Sequence, residues 1–360
     1  MGFKTYFRLL QSFFWDSPPY LIFFVTSKCN SKCRHCFYWK EIKESANKKE
    51  LSLEEIEKIA RNYGKLLFLS IGGGEPSLRK DIPEICELFH KFTGVSFITW
   101  TTNGLLPKKI TGEVERALKK CPDVEFRIPL SIDGIGETQD YMRGVPGSFD
   151  RVIETYNGIV KLQKKYKNIS IDVNTVVSSY NQDEIEKIFE FVKIKMPQIR
   201  NHGICFARGA TKDEKAKDIS LKRLKQIVKF REEMNKNSKK SKSLTGRLFQ
   251  AIASIGNEWE LKFIERKEMD WDCLAGKRFA EINEVGEVFP CEMIWEKIGS
   301  LRKNNYDIRK ILKNKKTQEI IQKIRRKECP CTFECAMANS LIYSPKKYFK
   351  VMNKLISEKT

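Results

Sequence analysis

The stretch Tyr20–Trp39 reads YLIFFVTSKCNSKCRHCFYW. Residues 20–25 are an unbroken apolar run rich in aromatic and β-branched side chains, the pattern of a strand buried on both faces. Directly behind it stand Cys29, Cys33 and Cys36, spaced C-x3-C-x2-C, with His35, Phe37, Tyr38 and Trp39 crowded around the last of them. A buried strand thus ends in a loop that carries three thiols. What the rest of the chain builds around that strand decides what the thiols are for.

Outward from this stretch the periodicity alternates. "SLEEIEKIARNYGK" places Leu53, Ile56 and Ile59 at helical spacing, opened by Ser52 as N-cap with Glu55 three residues on. "LLFLSIGGGEP" reads as a second buried strand, "KDIPEICELFHKF" as a helix, and "VSFITWTTNG" as a strand. "KKITGEVERALKKC" and "VEFRIPLSIDG" repeat the pair, as do "GSFDRVIETYNGIVKLQKKY" with "ISIDVNTVV" and "NQDEIEKIFEFVKI" with "IRNHGICFAR". Strand and helix alternate about six times, which implies an α/β fold: a parallel sheet with right-handed crossovers, flat or curled into an incomplete barrel. In such folds the active site lies at the C-terminal ends of the strands. The three thiols follow the first strand and so sit there.

The chain has 360 residues, 41% of them hydrophobic, with 23 Phe, enough for a packed core and too apolar for a disordered chain. No apolar run approaches the ~20 residues that span a bilayer. The start, "MGFKTYFRLLQSFFWDSPP", has charges inside its apolar part and no small-residue cleavage site, unlike a secretory signal. The expected location is the cytoplasm, where thiols stay reduced, so the 11 cysteines read as metal ligands or buried thiols rather than disulfides. Cys86, Cys121 and Cys205 stand alone in apolar segments and read as small buried hydrophobes. A structural zinc site wants four ligands, usually in two separated pairs, and His35 as a fourth ligand would strain so short a loop. Three thiolates can instead hold three irons of a four-iron cluster and leave the fourth open.

With these residues in hand, "CNSKCRHC" resembles the signature of the radical S-adenosylmethionine enzymes. The resemblance covers about residues 20–210 and implies a partial (β/α)6 TIM-like barrel. It implies a [4Fe-4S] cluster on Cys29, Cys33 and Cys36 as the catalytic centre, with S-adenosylmethionine on the open iron. In the family one electron from the reduced cluster yields methionine and a 5′-deoxyadenosyl radical, which abstracts hydrogen from substrate. His35 takes a place that is usually aromatic in the family. "GGGEP" resembles the family's GGE motif, so Gly73, Gly74 and Glu75 are expected at the methionine amino group. Asn103 lies at the mouth of the third strand. Ser131 and Asp133 are expected to reach toward the ribose, Arg143 toward the cofactor carboxylate, and Asn174 and Val176 to wall the adenine. A reductant such as ferredoxin or flavodoxin is implied as electron donor.

Five cysteines come late: Cys273, Cys291, Cys329, Cys331 and Cys335. "RFAEINEVGEVFPC" reads as a β-hairpin turning at Gly286. The spacing of Cys273, Gly286 and Cys291 resembles the opening of the SPASM and twitch extensions of the same family, and "CPCTFEC" is a shortened form of their continuation. The resemblance implies a small C-terminal hairpin and helix domain with one auxiliary [4Fe-4S] cluster, expected on Cys273, Cys291, Cys331 and Cys335 with Cys329 spare. A zinc knuckle on the same residues stays open, because spacing alone does not separate the two. The chain thus divides into an amphipathic segment at 1–19, the core at 20–211, a charged helical linker at 212–265, the auxiliary domain at 266–340 and a basic tail at 341–360.

Net charge is +21. The basic residues are spread along helices and no nucleic-acid module is present, so a lysine-rich solvated surface is the plain reading and no specific nucleic acid is expected. An anionic substrate or a membrane surface also fits. Phe3, Phe7, Leu10 and Phe14 share one helical face with Lys4 and Arg8 beside it, which suits a peripheral interfacial helix or a helix covering a barrel floor. Two function classes remain. The favoured one is a radical enzyme acting on a peptide, sugar, lipid or cofactor precursor; the other is a non-catalytic iron–sulfur or zinc protein.

Overall fold

The computed structural model describes residues 3–237, 244–329 and 331–357. Helix α1 (Phe3–Gln11) leads through a short turn into β1 (Tyr20–Thr26), and α2 (Trp39–Lys43) and α3 (Leu53–Tyr63) follow. Then come β2 (Phe68–Gly73), α4 (Ile82–Thr93), β3 (Phe97–Trp100), α5 (Pro107–Lys120) and β4 (Glu125–Ser131). A short α6 (Glu137–Arg143) precedes α7 (Ser148–Lys165), β5 (Ile169–Val177), α8 (Ile185–Lys195) and β6 (Ile199–Phe206). The charged segment forms α9 (Leu221–Asn237) and α10 (Leu244–Arg266); residues 238–243 of the expected linker and 358–360 of the expected tail lie outside the described residues. The late segment holds β7 (Phe279–Ile282), β8 (Glu287–Phe289), β9 (Gly299–Ser300), α11 (Ile308–Leu312), α12 (Lys315–Arg325), α13 (Glu334–Tyr343) and α14 (Tyr348–Ser357).

The strands form one sheet ordered β6-β5-β4-β3-β2-β1-β7-β8-β9. From β1 to β6 the order is sequential and every pairing is parallel. Sequential parallel strands with right-handed crossovers put their helices on one face, so the sheet curls as a partial barrel around a helix-free interior. α3, α4, α5 and α7 pack in succession as that outer layer. β1 is central. Leu21, Phe23 and Val25 are fully buried, and Phe23 meets Phe89 of α4 edge-on at 6.0 Å between ring centroids.

β7 pairs parallel with β1, Tyr20 opposite Phe279 through Phe23 opposite Ile282, and β8 and β9 continue antiparallel. The hairpin expected in a separate small domain therefore extends the core sheet. α3 begins with a reciprocal capping box between Ser52 and Glu55, as its sequence predicts. Among the described residues no helix is long and apolar enough to cross a membrane.

Candidate active site and late cysteine cluster

The loop after β1 is held from three sides by backbone hydrogen bonds. On the first side, Gly74 N–H donates to Thr26 O and Glu75 N–H to Lys28 O, both at 2.8 Å. A Cβ on Gly74 would lie 2.1 Å from Lys28 O, and one on Gly73 (φ +111°) 2.4 Å from Thr26 O. The glycines after β2 are therefore required by the thiol loop lying directly on them. On the second side, Lys32 N–H donates to Arg143 O at 2.9 Å and Arg34 N–H to Met142 O at 3.1 Å. Those carbonyls belong to the last turn of α6, which has no N–H donors of its own to satisfy them. On the third side, Lys212 and Asp213 donate N–H bonds to Cys36 O and Arg34 O at 2.9 Å. The first residues of the expected linker are thus part of the site's frame.

So held, Cys29, Cys33 and Cys36 line one cavity of about 220 Å³ at the C-terminal ends of the strands. His35, Gly73, Gly74, Glu75, Asn103, Ser131, Arg143 and Val176 line it too. Burial, followed by repulsion between the thiols, pushes Cys29 and Cys36 up to about 12, against backbone N–H bonds from Ser31 and Tyr38 that favour their thiolates. Two desolvated thiols, Cys29 and Cys36, each opposed as a thiolate by Cys33, fit a cationic group shared by the trio. Among the described residues no three His, Cys, Asp or Glu groups converge on a single ion.

Arg143 lies against the trio, its Nη1 3.6 Å from Cys33 Sγ and its Nη2 2.6 Å from Asp133 Oδ2. Burial opposes the Arg143 charge, but Asp133 and Cys33 more than offset it, so the guanidinium stays charged. Asp133 does not line the cavity. Its other oxygen accepts the Val176 N–H at 2.8 Å, so the residue expected at the ribose is instead spent on orienting Arg143. Asn174 does not line the cavity either; its side chain lies over Gly203, where a Cβ would come 2.9 Å from Oδ1. Burial lowers His35 to about 4, against the pull of Asp133, so its imidazole is neutral near pH 7.

Glu75 is fully committed to the frame. Oε1 accepts Ser77 N–H at 3.0 Å and Thr102 Oγ1–H at 2.9 Å, and Oε2 accepts Asn103 N–H at 2.7 Å. Burial raises its pKa in spite of those donors. Asn103 in turn donates Nδ2–H to Asn30 Oδ1 at 2.8 Å, tying the third strand's mouth to the thiol loop.

Sequence reasoning missed part of the lining. Thr102, Phe37, Tyr38, Phe206, Ala207 and Arg208 face the same cavity, and so does Cys205. Cys86 and Cys121 are fully buried as expected, but Cys205 is only partly so. The signal was present in "CFAR": the end of the sixth strand occupies the same mouth as the ends of the first five. Tyr38 donates its hydroxyl to Glu284, which Lys48 Nζ also reaches at 2.8 Å.

The late cysteines gather beside β1 and β7. Cys273 and Cys291 flank the β7–β8 hairpin, and Cys329, Cys331 and Cys335 precede or open α13. Burial and then Cys331 and Cys329 raise Cys273 to about 12; burial and Cys331 raise Cys329 to about 11. Cys291 is raised by burial, Glu281 and Cys273, and its sulfur accepts the Ile294 N–H at 3.4 Å. Cys335 instead accepts the Tyr20 hydroxyl at 3.5 Å. Cys273 thus stands within electrostatic reach of Cys291, Cys329 and Cys331, and Cys329, which sequence reasoning left spare, is among them. Between the two sites stands Arg208, which binds Glu292 at 2.6 Å and also Glu334, its guanidinium 4.6 Å over the Phe333 ring.

The Radical SAM superfamily model matches residues 23–192. AdoMet-dependent heme synthase of Methanosarcina barkeri is 29% identical over 87% of this chain and 86% of its own length. Fe-coproporphyrin III synthase of the same organism is 31% identical over 61% of this chain and 52% of its own, so the chain spans about half of that relative. Among solved structures, Streptococcus suis SuiB bound to S-adenosylmethionine superposes over 94% of this chain and 73% of its own with a TM-score of 0.58 and 17% identity, a likeness of fold.

Proposed function

We propose that this chain, which carries a radical SAM domain and whose named relatives are enzymes, is a radical S-adenosylmethionine enzyme whose substrate is a cofactor precursor. The observation that carries the reading is the convergence of Cys29, Cys33 and Cys36 on one cavity with Arg143 and the glycine-rich turn. These thiols would hold a four-iron cluster, which when bound supplies the electron that converts S-adenosylmethionine to methionine and a 5′-deoxyadenosyl radical. The chain's own residues do the rest. Gly73 and Gly74 keep the loop close to the sheet, Glu75 fixes the mouths of the second and third strands, and Arg143 offers a buried positive charge to the cofactor carboxylate. Ser131 and Val176 give a polar and an apolar wall.

The substrate class rests on the names of two relatives, AdoMet-dependent heme synthase and Fe-coproporphyrin III synthase, which point to tetrapyrrole chemistry. GTP 3′,8-cyclases match a shorter part of the chain, 46% of it for that of Peptoclostridium acidaminophilum, and the likeness to SuiB is one of shape. The net charge of +21 suits a substrate bearing carboxylates. We further assign the late thiols, Cys273, Cys291, Cys329 and Cys331, to a second four-iron cluster.

Anaerobic reconstitution tests both assignments. About eight irons per chain are expected, four in each cluster. Replacing Cys29, Cys33 and Cys36 together by Ala should remove about half of them and abolish 5′-deoxyadenosine formation. Unchanged iron would overturn the catalytic assignment. In the late site, Cys329→Ala should cost the second cluster and Cys335→Ala should spare it; zinc bound there in place of iron would make it a structural knuckle. Iron coproporphyrin III should bind the reconstituted enzyme with a shifted absorption band where short peptides do not, and binding of peptides alone would move the substrate to another class.

A further inference from the structure

The chain has 46 acidic residues, yet residues 3–15 and 336–357 contain none. These two segments, from opposite ends of the sequence, hold Lys4, Arg8, Lys346, Lys347, Lys350 and Lys354. The fold sets them side by side. Ser12 Oγ lies 2.9 Å from the Tyr343 hydroxyl, and the Phe13 ring lies 5.0 Å from Tyr343 and 6.5 Å from Tyr348 between centroids. Their inner faces are firmly packed. Arg278 donates to the carbonyls of Ser12 and Phe13, Arg8 to those of Leu66 and Thr93, and Val351 and Leu355 are buried in a cluster around Trp259.

Their outer faces are apolar. Phe14 is 89% exposed and Phe349 77%, and Phe7, Leu10, Tyr348 and Met352 are exposed with them. Of the nine exposed large hydrophobic residues among those described, six fall on these two elements. Scattered exposed apolar residues need no explanation, but a concentration on one cationic surface does. The side chains of Phe3 and Lys4, expected to extend the face, lie outside the described ones.

From this arrangement we infer that α1 and α14 form a docking surface for an anionic lipid bilayer. Aromatic and aliphatic side chains project outward beside Lys346, Lys347 and, on α14, Lys350. Neither segment carries a carboxylate of its own, and Glu258 of α10 pairs with Lys350 and Lys354 at 3.1 and 2.7 Å. An apolar face edged by lysines matches acyl chains beneath anionic headgroups. A second copy of the chain is a poorer occupant, because a two-fold contact would bring together two segments that each carry lysines and no carboxylate of their own. The surface lies at the entry to β1, whereas the cavity lies at the C-terminal ends of the strands. A docked molecule therefore keeps its cavity mouth turned from the bilayer and open to small molecules and to a reductant.

Co-sedimentation of the full chain with vesicles tests this without substrate or cluster. Binding is expected to vesicles containing phosphatidylglycerol, weakly or not at all to pure phosphatidylcholine, and to weaken as salt rises. The pair Phe14→Glu and Phe349→Glu, both on exposed side chains, should lower binding at least about tenfold with an unchanged circular dichroism spectrum. Failure to bind anionic vesicles, equal binding to both vesicle types, or no loss in the double variant would overturn the inference. So would a concentration-dependent dimer in light scattering that the double variant dissolves, since the face would then be a subunit contact.

Discussion

At the scale of single residues, the site is a problem in backbone proximity. Gly74 has no φ that demands glycine, but its missing Cβ is the space that Lys28 O occupies. Gly74→Ala is expected to push the thiol loop off β2. The clash at 2.1 Å is with backbone, which has no flexible end to swing aside. A cost of about 2–3 kcal/mol is expected, in the range of overpacked sites, together with lost iron in the reconstituted protein. Full iron retention at wild-type stability would show that the loop is free of β2. That glycine, Cys29, Cys33, Cys36 and Arg143 were legible in the sequence as the lining of one cavity, because each carries chemistry or a steric signature just after a strand or in the helix that follows one. The duties of Asp133 and Asn174 were not. A carboxylate at a strand mouth reads the same whether it faces a ligand or, as here, sits behind Arg143 and accepts from Val176 N–H.

At the scale of elements, long periodic segments were legible and short polar ones were not. β1 and α3 follow from an apolar run and from a capping box over helical spacing. α6, "ETQDYMR", has no apolar period, yet its last carbonyls hold the thiol loop. α3 shows how an element joins the late segment to the core. Arg302 donates Nε–H and Nη2–H to Glu55 at 2.7 and 2.9 Å and reaches the carbonyls of Lys49 and Val285, while Tyr306 donates to the same carboxylate at 3.0 Å. The bidentate Arg302 bond first, opposed by partial burial, lowers Glu55 from 4.5 to about 2. A carboxylate whose folded pKa lies below its unfolded value stabilises fully above about 4.5 and loses that contribution as pH falls through about 2. The side chain is 18% exposed, so screening reduces the effect to about 2 kcal/mol. Glu55→Gln should therefore be less stable than the parent near pH 7 by that amount in urea titrations. The gap should close between about pH 4.5 and pH 2; a gap independent of pH would mean that the charge of Glu55 contributes nothing.

At the scale of the whole molecule, the chain does not divide where its composition does. The shift to charged residues near 212 and the second group of cysteines suggest a core, a linker and an appended domain, because sequence shows composition and local period but not which strands pair across 250 residues. The sheet crosses those lines. β7 completes the hydrogen bonding of β1 from Tyr20 to Phe23, and Phe279 is fully buried against Tyr20 at 6.4 Å between rings. Glu284, just after β7, accepts from Tyr38 and Lys48 of the core, and Leu51 N–H donates to its carbonyl at 2.7 Å. A chain ended after Arg266 would leave β1 as an edge strand, with Leu21, Phe23 and Val25 beside unpaired backbone groups. Such an edge is a template for pairing with other chains. The truncated chain is therefore expected to aggregate, and the intact protein to unfold in a single transition in which the thiol loop and the late segment are lost together. A soluble, monomeric truncation that still binds about four irons on Cys29, Cys33 and Cys36 would show that the barrel stands alone. In that case the β1–β7 pairing would be a contact between two domains rather than part of one sheet.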